Sequence, residues 1–158
     1  MPMIAPSRMD KDARWSWWFA PMRMALIGIL ASLFASACML VSGDRLSADV
    51  RPDAGNVTRA FLGAEGSEEY ALPIGGGAAT LRTIVILEVQ QGEMRLEMLN
   101  PGGSVAFAVQ SRPGDQVSRV GAVRLDETGT LRYRVITRGA RDGAYQILYQ
   151  RVRSGNAQ

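Results

Sequence analysis

The sequence predicts an all-β fold: an antiparallel β-sandwich of about eight strands, carried behind an N-terminal apolar segment that acts as a signal or anchor helix. Three observations carry this expectation. Between Asn56 and Val152, short runs of alternating apolar and polar residues recur, each closed by a cluster of Gly, Pro or Asp. No segment in that span shows a convincing helical period. A span of about a hundred residues is enough for one sandwich core.

Residues 1–23 form a leader. It mixes Pro, Ser and both signs of charge, and its "WSWWF" cluster lies beside Arg14 and Arg23. Those rings suit a membrane interface; the plainer reading is a disordered cytoplasmic leader, or sequence upstream of a true start at Met22. Residues 24–41 read "MALIGILASLFASACMLV", with no charge between Arg23 and Asp44. Three readings fit this run. It is the h-region of a secretory signal, behind a flank of Arg8, Lys11, Arg14 and Arg23. It is a signal that ends in a lipid-modified cysteine. Or it stays uncut and crosses the bilayer once, with its basic end inside. Cys38 is the only cysteine, so it has no intramolecular disulfide partner, and a lone thiol in an exported chain asks for an explanation. Its place after Ala35-Ser36-Ala37 resembles the lipobox of bacterial lipoproteins, which implies a diacylglyceryl group on Cys38 and cleavage before it. Each reading puts residues beyond Val41 outside the cytoplasm. Residues 42–55, "SGDRLSADVRPDAG", read as a polar linker.

The domain proper is expected over residues 56–153, with a short tail at 154–158. Strands are expected near Val57–Leu62, Glu69–Ile74, Thr80–Gln90, Glu93–Leu99, Ser104–Gln110, Val117–Leu125, Thr130–Arg138 and Ala144–Val152. Met94, Leu96 and Met98 share one face, and so do Val105, Phe107 and Val109. Leu131, Tyr133, Val135 and Thr137 oppose Arg132, Arg134 and Arg138. "TLRTIVILEVQ" is apolar on nearly both faces and belongs at the centre of a sheet. "QQG" at 90–92, "NPGG" at 100–103, "DETG" at 126–129 and "GARDG" at 139–143 read as hairpin turns, and "GGGAA" at 75–79 as a flexible connection.

The segment "GTLRYRVITRGARDGAYQILYQ" resembles the closing strands of bacterial pre-peptidase C-terminal domains, through Gly129, Tyr133, Gly143, Tyr145 and Ile147 in that order. "EMRLEMLNPGGSVAF" resembles an earlier strand, turn and strand of the same family through Leu96, Leu99, Pro101 and Gly102. The resemblance implies a small jelly-roll-like sandwich that accompanies exported proteins. Gln91-Gly92-Glu93 stands where that family often carries Asp-rich positions, so no calcium role is carried over.

Catalytic chemistry is sparse. The chain has no histidine, and its only lysine, Lys11, precedes the apolar run. That removes an imidazole base, His-ligated metal and an exported lysine nucleophile. Glu68-Glu69 and Asp126-Glu127 are adjacent acids of the kind a glycosidase pair would use, at places where charge is ordinary in any case. The Gly75–Gly77 run lacks the Lys-Ser/Thr of a phosphate loop. The net charge of +3 is not clustered after Val41, which argues against nucleic-acid binding. One local cluster remains: Arg132, Arg134 and Arg138 on an outward strand face, with Arg151 nearby. It is either a site for an anionic partner or a solvated face whose arginine stems cover apolar surface. The expectation is a non-enzymatic envelope lipoprotein without cofactor. It would be membrane-attached through lipid on Cys38 or through an uncut helix, and would bind an anionic glycan or an envelope protein. The alternative is a single-pass anchored subunit of an exported complex.

Overall fold

A computed structural model describes residues 39–152. The leader, the apolar segment as far as Cys38, and the C-terminal tail lie outside the described residues. Seven strands follow in order: β1 (Leu40–Ser42), β2 (Arg45–Asp49), β3 (Ala54–Pro73), β4 (Thr80–Leu99), β5 (Val105–Gln110), β6 (Val117–Arg124) and β7 (Thr130–Arg151). Every pairing is antiparallel, and together they make one seven-stranded sheet. β7 lies between β3 and β4 along its whole length. β1 and β2 pair with the first part of β3, β6 with the first half of β4, and β5 with its second half.

Three strands are far longer than expected. β3 and β4 have 20 residues each and β7 has 22, against a common length of about 5–6. Each absorbs two of the strands read from the sequence, which leaves five of the expected eight, and β1 and β2 bring the number to seven. The residues that looked like turns at 90–92 and 139–143 are bulges. Gly92 and Gly139 do have the positive φ that marks a turn, 76° and 56°. Here it accommodates a register slip instead. β7 carries one residue more than β3 between Ala64 and Gly66, and one more than β4 between Gln91 and Glu93. An extra residue bends a strand and steepens its twist. Side-chain parity shifts at the same level on the strand without the extra residue: β4 buries Leu81, Val85, Leu87 and Val89 before the slip, and Met94, Leu96 and Met98 after it, whereas β7 buries Leu131, Tyr133 and Val135 on one side and Tyr145, Ile147 and Tyr149 on the other with unchanged parity. The same face therefore stays inward.

With all three strands bent at one level, the sheet folds back on itself. Tyr133 and Tyr145 both belong to β7, yet their ring centroids are 6.0 Å apart. On a straight strand that spacing would separate them by roughly 40 Å. Arg59 and Tyr70, both on β3, touch in the same way. One core lies between the two layers. It unites Val57, Leu87 and Ile147 of the first layer with Leu96, Leu131 and Val135 of the second, and Phe107 of β5 joins it.

The connections between β3 and β4, β5 and β6, and β6 and β7 are arches from layer to layer. "DETG" is thus a turn without a hairpin: β6 and β7 flank β4 on opposite sides. Only "NPGG" closes a hairpin as expected, joining β4 and β5 with Gly103 N–H donating to Asn100 O at 3.0 Å. The expected flexible connection at 75–79 is pinned, because Arg151 donates to the carbonyls of Gly75, Gly76 and Pro52. The stretch read as a linker contains β2, and β1 reaches back into the apolar run. β2 buries no residue and β1 contributes only the half-buried Val41 to the edge of the core, so alternation could not reveal them; backbone pairing to β3 is their main hold.

Candidate functional site

The second layer turns Arg132, Arg134 and Arg138 outward on β7, as their parity requires. Their neighbours were not foreseen. In the register, Glu69 of β3 and Glu97 of β4 flank Arg134 on either side. Arg134 reaches both, at 3.1 Å to Glu69 and 3.3 Å to Glu97. Arg95 closes on Glu97 at 2.9 Å, and Arg132 approaches Glu69 at 3.6 Å. Glu97 is only 7% exposed although its strand face points outward, with the Arg95 and Arg134 guanidinium groups closed on its two carboxylate oxygens. Arg134 is therefore committed to a charge ladder across three strands. Arg138 has no acidic partner within 4 Å among the described residues. It borders a shallow groove of about 240 Å³ with Glu93, Met94, Arg95, Gln110 and Ile136. Arg151 lies apart from this face, on the arch described above.

A second polar cluster lies on the inward face, where the layers meet at the β1–β2 side. Arg59 occupies the inward position between Val57 and Phe61, and its guanidinium is bidentate on Asp44, with both contacts at 2.7 Å. It also donates to the Tyr70 hydroxyl, which in turn donates to Glu68. Tyr70 stacks on Tyr133 at 5.1 Å, and Tyr133 meets Tyr145 edge-on. The Arg59 hydrogen bonds hold the Asp44 carboxyl below the usual carboxylate range. Burial pushes the Tyr133 and Tyr145 hydroxyls up, and burial with the Glu68 contact does the same for Tyr70. All three phenols are therefore neutral hydrogen-bonding groups at physiological pH. The cluster clips the β1–β2 segment to the sandwich. Its signal was present in "NVTRAFL", as an arginine at an apolar-face position.

The acid pairs separate. Glu68 points inward to Tyr70 and Glu69 outward to the arginines, so their carboxyls diverge. Asp126 accepts from the amides of Thr128 and Thr130 and from the Thr128 hydroxyl, which pins its turn and lowers its pKa. No group of three or more metal-ligating side chains occurs among the described residues.

No family model matches the sequence, and no curated protein matches it. Among solved structures, similarity extends to the carbohydrate-binding module CBM6cm-2 from Cellvibrio mixtus lichenase 5A in complex with cellotriose. That match has 15% identity, covers 72% of this chain and 91% of that one, and has a TM-score of 0.39. The CBM22-1 xylan-binding domain from Paenibacillus barcinonensis Xyn10C is similar at 8% identity over 74% of this chain and 87% of that one, with a TM-score of 0.39. A pilus protein of Bacillus endospore appendages is similar at 15% identity over 72% and 95%, with a TM-score of 0.40. Similarity of this degree assigns no ligand to this chain.

Proposed function

We propose that this chain is a non-enzymatic lipoprotein of the cell envelope, tethered through Cys38, which presents its β-domain outside the cytoplasm as a binding module. The observation that carries the tether is the boundary between the apolar run and the fold. Leu40 and Val41 belong to β1, paired with Glu65 and Ala64 of β3. That leaves residues 24–39 of the run, about 24 Å if helical, against a hydrocarbon core of about 30 Å. A span of that length is ordinary for a cleaved signal and short for an uncut crossing. The single-pass subunit is therefore the weaker alternative. A diacylglyceryl group together with one amide-linked chain attaches a protein stably, where a single chain alone is marginal.

The intact mass of protein extracted from membranes tests the tether. The expected mass starts at Cys38 and includes diacylglyceryl and acyl groups, and Cys38→Ala removes them. A lipid-free mass that retains residues 24–37 overturns the proposal in favour of the uncut helix.

The binding surface is the outer face with Arg132, Arg134 and Arg138, and the partner class is an anionic glycan. Support comes from Arg138, which has no acidic partner within 4 Å among the described residues, and from Arg132, held only at 3.6 Å. Replacing Arg132 and Arg138 together by Gln should abolish salt-sensitive retention on an acidic polysaccharide with little effect on folding. Arg134→Gln belongs in a separate variant. It removes a partner from the buried Glu97 and should cost about 2 kcal/mol of stability whether or not the face binds anything. Unchanged retention of the double variant would leave a solvated face. Retention only on an acidic protein would move the partner to that class.

A further inference from the structure

We propose that the outward face of the first layer, centred on β4 and flanked by β6 and the second half of β7, is a homodimer interface on which a second copy of this chain docks face to face. The proposal goes beyond the envelope reading and does not depend on it. Ile84 and Val120 are 38% and 52% exposed. Ile84 lies opposite Val120 on β6 and Leu148 on β7, so three apolar side chains form a row across three strands, with Ile86 next along β4. Gln146, Gln150 and Ser118 border the row, which gives it an apolar centre and a polar rim. A groove of about 490 Å³ runs beside Ile84 and Leu148, bounded by Arg82 and Gln150.

Charge selects the occupant. The outward residues of β4 read Arg82, Ile84, Ile86, Glu88, a cation and an anion at either end of an apolar pair. Neither charge has an opposite partner within 4 Å among the described residues. Consider a two-fold axis in the plane of the interface, at right angles to β4, passing between Ile84 and Ile86. It lays Ile84 of one copy over Ile86 of the other. It also sets each Arg82 against the other copy's Glu88, so every charge gains one opposite partner and the interface holds two such pairs. A purely apolar partner would leave both uncompensated, and an anionic bilayer would repel Glu88. The pattern is complementary to itself.

The test is sedimentation equilibrium of the full-length protein in detergent, with charge reversals. Arg82→Glu and Glu88→Arg should each weaken the dimer about tenfold, and the double reversal should restore affinity to within about threefold of wild type. Ile84→Asp should abolish the dimer. A thermal melt of each variant checks that the fold survives; the rescue by the double reversal is meaningful even if a single variant is destabilised. A wild-type chain that stays monomeric overturns the proposal, as does a dimer indifferent to the reversals. A wild-type chain that is monomeric in detergent, yet adsorbs to phosphatidylglycerol vesicles more strongly than Ile84→Asp, would assign the face to a lipid surface and overturn it equally.

Discussion

A Cβ at Gly92 would lie 2.2 Å from the carbonyl oxygen of Gly139, backbone against backbone, on a residue whose φ is 76°. Neither group can move without disturbing the bend shared by β4 and β7. Gly92→Ala should therefore cost about 3 kcal/mol or more, from positive-φ strain and the clash together. Urea unfolding measures it, and a loss below about 1 kcal/mol would show that the bend tolerates a side chain. In the sequence this glycine marks a break in regular structure, and "QQG" reads as a hairpin turn where the fold has a bulge. A positive φ is common to turns and bulges. What separates them is whether the flanking segments pair with each other or continue side by side along a third strand, and no local residue pattern encodes that. Glu97 makes the same point from the other direction. Alternation put it outward correctly, but only its neighbours on β7 and β4 bury it.

At the scale of elements, β2 is the clearest weak point. All five of its residues are exposed, so it gains nothing from the core. It is held by its register with β3 and by the Asp44–Arg59 pair at its entrance. The pH dependence follows from that pair. A carboxylate whose folded pKa lies below its unfolded value adds stability that is fully present above about pH 4 and is lost as pH falls through the lower folded value. At neutral pH the clip is closed. Asp44→Asn should open it there, with a stability loss of about 1 kcal/mol or less because Asp44 is partly exposed. Amide hydrogen exchange should quicken across β2 and stay unchanged in β4. Equal exchange in β2 of both proteins would mean that backbone pairing alone holds the segment.

For the whole molecule, the decisive feature is one sheet folded into two layers, so contacts between layers carry global stability. Phe107 on β5 tests this. It is 8% exposed, and its ring lies within 2.3 Å of where a Cβ on Gly121 of β6 would stand. The glycine on one layer makes room for the ring of the other. Phe107→Ala should cost about 3–4 kcal/mol in cooperative unfolding, and a loss under 1 kcal/mol would mean the layers close without it.

Alternation of side chains determined, from the sequence alone, that this is an all-β chain. It also determined which faces of β4, β5 and β7 carry Leu96, Phe107 and Tyr133 inward, because burial on a pleated strand follows a period of two whatever the strand pairs with. The expected inward set was nearly complete; Val105 departs from it and is exposed at the hairpin end. The apolar run and its lone thiol were likewise legible as composition. Tertiary structure alone decided that eight expected strands are seven, that Arg134 is bound into a charge ladder, and that Arg59 gathers Asp44, Tyr70 and Glu68 around it. Those outcomes depend on partners distant in the chain, from Arg59 and Tyr70, 11 positions apart, to Ala54 and Gln150 at the far end of the β3–β7 pairing, and a local pattern records the direction of a side chain but not the partner it will meet.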